Sequence, residues 1–83
     1  MIAFEISING KNVCVAGVAN GLTSAMISRV EDGTDLVDLH VTGTVDPAGD
    51  PHSCAWEMPF VTIGDVVSIK IVDTVSVTPP DSN

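Results

Sequence analysis

"NGLTSAMISRVEDG", Asn20 to Gly33, decides the fold of this chain, because it is the one stretch whose apolar residues follow a helical period. Leu22, Ala25, Met26 and Val30 fall at i, i+3, i+4 and i+8, one stripe of a short helix. Asn20 or Thr23 suits the N-cap, and Gly33 stands where a left-handed C-cap glycine belongs. Glu31 and Asp32 crowd the expected C-terminus, where the macrodipole disfavours negative charge by roughly 0.3–1 kcal/mol each. The stretch therefore predicts a helix that ends in an acidic corner.

On its N-terminal side the period is two. In "IAFEISINGKNVCVAG", Ile2, Phe4, Ile6 and Ile8 alternate up to Asn9-Gly10, the preferred pair for a two-residue type I′ hairpin turn. In that register Ile8 faces Lys11, Ile6 faces Val13 and Phe4 faces Val15, so the apolar sets share one face. Cys14 then falls on the other face, opposite Glu5.

On the C-terminal side "DLVDLHVTG" is again a strand, with Val37, Leu39 and Val41 inward and Asp38, His40 and Thr42 outward. Prolines and a glycine between Thr44 and Pro59 predict a long loop. "FVTIGDVVSIKIVD" follows as a Gly64-Asp65 turn and a strand, with Val67, Ile69 and Ile71 inward and Ser68, Lys70 and Val72 outward. Pro79-Pro80 cannot continue a ladder. The expected organisation is one domain over residues 1–77 and a disordered tail over 78–83. Hairpin, helix, strand, long loop and strand make an α+β domain: a mixed sheet of four to five strands with one short helix on one face.

This order resembles the β-grasp, or ubiquitin-like, fold: a hairpin at "NGK", a helix ending at "EDG" and a late "IGDVVSIKIV" strand. The second half is similar to the small sulfur carriers, where a tryptophan-containing loop leads into a "GD" turn and a last strand, as Trp56, Gly64-Asp65 and Val66–Val72 do here. Those carriers act through a C-terminal Gly-Gly, and this chain has no glycine after Gly64. The resemblance thus implies at most a degenerate carrier-like protein. The iron–sulfur members of the fold need four cysteines, and the chain has two.

Composition narrows the function further. Eighty-three residues make one domain. Eleven acidic residues against three basic ones give a net charge of −8. That excludes phosphate-backbone recognition and disfavours an anionic membrane. It leaves a protein partner with a basic surface, or occupation of a basic groove by an acidic inhibitor or nucleic-acid mimic. No apolar run approaches the roughly 20 residues of a membrane span, and "MIAFEISING" has no basic leader, so a cytoplasmic location is expected.

The chemistry-bearing residues are few. Cys14, His40, His52 and Cys54 are a ligand set by type, but His52-x-Cys54 is no zinc-knuckle spacing. In the expected sheet Cys14 and His40 lie about three inter-strand steps apart, roughly 14 Å. No metal site, cofactor or catalytic residue is expected, and a Cys14–Cys54 disulfide is unexpected in a reducing compartment. The expected function is a small acidic, non-enzymatic protein-interaction module whose partner is not identified. Its contacts are expected on the open sheet face (Glu5, Ser7, Asp38, His40, Ser68 and Lys70), at the acidic corner (Glu31, Asp32 and Asp35) and at Trp56. Trp56, Met58 and Phe60 alternate, so they either fill the core or form an apolar anchor for a partner.

Overall fold

Among the described residues every regular element is a strand. The computed structural model describes residues 1–45 and 52–82, and among these there is no helix. The six strands are β1 (Ile2–Ile8), β2 (Lys11–Ala16), β3 (Gly21–Ser28), β4 (Asp38–Val45), β5 (His52–Trp56) and β6 (Val67–Asp73). They form two antiparallel three-stranded sheets, ordered β2-β1-β6 and β3-β4-β5. The α+β, β-grasp-like expectation is therefore corrected to an all-β domain of two sheets.

The correction turns on Asn20–Gly33. Its residues 21–28 are β3, paired along their whole length with β4 from Gly21↔Val45 to Ser28↔Asp38. Thr23, Ala25 and Ile27 oppose Gly43, Val41 and Leu39, so a period-two set competes with the helical stripe. Gly, Thr, Ser and Ile are indifferent or poor helix formers, and a helix this short is marginal without tertiary support. The full ladder instead pairs the β4-facing backbone groups along the whole of β3. The turn after β3 keeps the predicted positive φ at Gly33, 86°, though it ends no helix.

The Asn9-Gly10 hairpin forms as its sequence requires, with φ of 53° and 81° and Ile8 opposite Lys11. Its register then changes. Ser7 opposes Asn12 but Ile6 opposes Cys14, so Val13 is the extra residue of a β-bulge. Beyond the bulge the faces of β2 exchange. Cys14 and Ala16 turn into the core, while Val15 stands opposite Glu5 on the outer face. Cys14 is thus not on the open face.

The two sheets meet through Ile6, Cys14 and Ala16 on one side and Leu39, Val41 and Trp56 on the other. Phe4, Val18, Ala25, Cys54, Met58 and Val67 pack around this centre. Gly43 lets the layers close: a Cβ there would stand 2.8 Å from Val18 Cγ1 and 3.0 Å from Cys54 Sγ. The expected loop from Thr44 to Pro59 contains the end of β4 and all of β5, while its residues 46–51 lie outside the described set.

The segment expected to be a disordered tail is hydrogen-bonded as far as Ser82; Asn83 lies outside the described residues. Val77 lies over Ala3 and Gly17 on the outer face of the first sheet. Thr78 then meets the β2 edge, its N–H donating to Val15 O at 2.8 Å and its Oγ1 accepting from Val15 N at 2.9 Å. Pro79-Pro80 carry the chain across to the other sheet, where Asp81 N and Ser82 N donate to Ala55 O and Ala55 N donates to Ser82 O. The ladder of β6 ends at Asp73, before the prolines, and the residues flanking Pro79-Pro80 tie the β2 edge to the β5 edge.

Candidate functional site

Two sheet edges remain without such a cover among the described residues: β3 and β6. β6 pairs with β1 over its entire length, Ile2↔Asp73 to Ile8↔Val67, and only on that side. Opposed residues share a face, so Val67, Ile69 and Ile71 lie on the core side with Ile8, Ile6 and Phe4. Only Val67 reaches the core cluster. Exposure then rises along the strand, to 47% at Ile69 and 70% at Ile71, with Ile2 on β1 at 69%. Sequence alternation correctly sets which way these isoleucines point, yet pointing inward is not burial, because the second sheet does not extend over them.

An edge strand with free backbone groups and an apolar side is a template for another strand. Soluble domains usually blunt such an edge with proline, a bulge, a cover or several charges. β6 has only two charges, Lys70 on its outer face opposite Glu5 and Asp73 at its end, and no proline. Ser68 lies beside Lys70, opposite Ser7. Four of the sequence-expected contacts, Glu5, Ser7, Ser68 and Lys70, are thus together on the outer side of the β1–β6 pair. β3 is comparably exposed but on both sides, with Ile27 55% exposed on its core side and Leu22 and Met26 exposed on its outer side.

The other expected contacts lie elsewhere. Asp38 and His40 are on the outer face of the second sheet, whose inner face packs on the first sheet, so they do not share a surface with Glu5 and Lys70. Among the described residues, a shallow depression of about 210 Å³ adjoins His40 and Thr42, with Ala55, Glu57, Met58 and Phe60 around it. Glu31, Asp32 and Asp35 are in the β3–β4 loop, where Glu31 pairs with Arg29 at 3.1 Å. Asp32 Oδ1 accepts from Thr34 Oγ1 at 2.7 Å and from Thr34 N at 3.1 Å, and these bonds hold its carboxyl below the ordinary range. Asp32 thus serves its own turn.

Trp56 packs inward. It is 3% exposed, opposes Val41, and its Nε1 donates to Thr78 O at 2.7 Å. The expectation that it contacts a partner is replaced by a structural role: it anchors the C-terminal segment. Phe60 is the exposed member of the trio, and Met58 packs against the core.

Cys14 and Cys54 are free thiols, Cys14 buried and Cys54 half-buried. Burial, with the nearby Asp81 carboxylate as the lesser cause, pushes the Cys14 thiol up and keeps it from forming a nucleophilic thiolate. Cys14 faces the core from the first sheet and His40 faces away from it on the second, so the two do not converge. Among the described residues no group of three or more His, Cys, Asp or Glu side chains is placed to hold a metal ion.

Fold and edge together define a small antiparallel β-sandwich, closed along the β2–β5 side and open along β6. No protein-family model matches the chain, and neither a curated protein nor a solved structure does. Among the described residues, no helix is long and apolar enough to cross a membrane.

Proposed function

We propose that this chain is a non-enzymatic protein-interaction module that accepts a partner's extended segment along the β6 edge. The observation that supports this reading is the exposure of Ile69 and Ile71 on a strand whose outer backbone edge is unpaired. Fully burying an isoleucine stabilises by roughly 1.5–3 kcal/mol. Half to two-thirds of that remains unrealised at these two positions in the free chain. The sum is smaller than the roughly 4–15 kcal/mol cost of association, so apolar contact alone does not hold a partner. Main-chain pairing along β6 supplies the rest, as in other cases where a strand is added to a sheet. A strand added there also lies beside Ser68 and Lys70, which brings part of the expected polar face into the contact.

The test uses substitutions that keep the strand. Threonine retains high β propensity, so Ile69→Thr with Ile71→Thr is expected to fold while losing the apolar side of the edge. Proteins captured from the native host by the wild-type chain should be lost from this variant. They should be retained by His40→Ala, on the outer face of the second sheet. Partners lost from His40→Ala and retained by the double variant would move the site to that face.

A further inference from the structure

We infer that the occupant of the β6 edge is a basic extended segment of another protein, with two apolar residues at alternate positions and a lysine or arginine two positions beyond. This rests on β6 as the docking edge and adds the chemistry of what docks. Residues opposed across a ladder share a face, so an added strand meets Ile69 and Ile71 with residues two apart. The next position on the same face is Asp73, which closes β6 at the exposed end of the apolar strip. Its side chain is 86% exposed, and its Oδ1 lies 3.2 Å from the Met1 amino group. A cationic side chain opposite Asp73 therefore meets a carboxylate where the apolar contact ends, and the residues between face Lys70 and Val72 and are better polar and uncharged or apolar.

Charge on the rest of the chain points the same way. Of the three basic residues, Arg29 is paired with Glu31, Lys70 stands opposite Glu5 and Lys11 is at the hairpin turn. The net charge of −8 attracts a basic segment at long range and repels an acidic one. A second copy of the chain would bring a further −8 to the contact, which counts against self-pairing as the resting state.

A phage-displayed library of random dodecapeptides, selected on the full chain, tests this on peptide chemistry alone. The enriched peptides should be net basic and share the pattern apolar-x-apolar with a lysine or arginine two positions away. They should bind Ile69→Thr/Ile71→Thr about tenfold or more weakly, a loss of about 1.4 kcal/mol, and Asp73→Asn several-fold more weakly. Circular dichroism confirms that both variants fold. Neutral or acidic peptides that need Ile69 and Ile71 would overturn the basic occupant and leave the docking edge standing. No enrichment, or peptides indifferent to the double variant, would overturn both. A dimer in sedimentation equilibrium that dissociates in the double variant would instead make a second copy the occupant.

Discussion

Asn9 joins two turns. Its positive φ of 53° opens the type I′ hairpin, its N–H donates to Val66 O at 2.8 Å and its Oδ1 accepts from Val66 N at 2.9 Å. Its Nδ2 donates to Asp65 Oδ1 at 3.0 Å, and Asp65 Oδ2 accepts from Thr62 N at 2.9 Å. The 62–65 turn is closed by Asp65 N donating to Thr62 O, with Gly64 at φ 93° in the position that needs it. Asn9→Ala should therefore destabilise by about 1–2 kcal/mol, through the lost side-chain bond to Val66 and a poorer turn residue. Urea titration measures it. The same bonds set a pH dependence. The Asn9 and Thr62 donors hold the Asp65 carboxyl below the usual range, so its contribution is present above the unfolded-state value and is lost as pH falls through the folded one. Asp65→Asn should reduce the loss of stability between about pH 5 and pH 2, and an unchanged acid limb would show that these bonds are not formed in solution.

At the scale of elements, the C-terminal segment is the part whose role departs most from its composition. Thr78, Asp81 and Ser82 bond to Val15 and Ala55, Thr78 O receives the Trp56 indole, and Asp81 Oδ2 accepts from Glu57 N at 2.7 Å. At about 0.5–1 kcal/mol net for each of these seven bonds, ending the chain after Val77 should cost roughly 3.5–7 kcal/mol. The Trp56 emission should shift to the red as the indole gains water, and an unchanged spectrum and midpoint would show that the segment does not pack. The sequence misled in this region because proline, aspartate and serine are common to tails and to edge covers alike. The hairpin and the inward–outward alternation of β4 and β6 were legible, because a two-residue turn and a period of two are local properties. Three features were not. Asn20–Gly33 satisfies a helical and a strand period together, and pairing with β4 decides between them. The bulge at Val13 depends on how β2 meets the core, and no local residue marks it. Exposure of Ile69 and Ile71 depends on how far the second sheet extends. Of the expected open face, Ser68 and Lys70 share a side with Glu5 and Ser7 while Asp38 and His40 lie on the other sheet, and the sequence passed over the exposure of Ile69 and Ile71.

Taken whole, the molecule is an off-centre sandwich. Cys14, Ala16 and Trp56 are buried near where β2 and β5 are tied together, and Ile69, Ile71 and Ile27 remain roughly half-exposed or more along the edge strands β6 and β3. Such an arrangement concentrates the packing on the closed side and leaves the β6 edge, the proposed docking edge, unpaired. Residue-resolved amide hydrogen exchange in the free protein tests this asymmetry most directly. Val15 and Ala55, held by Thr78 and Ser82, should exchange slowly, while every second amide of Val67–Asp73, pointing away from β1, should exchange nearly as fast as in an open chain. Uniform slow exchange along β6 would show that its edge is already covered in the free protein and would contradict its role as a docking edge.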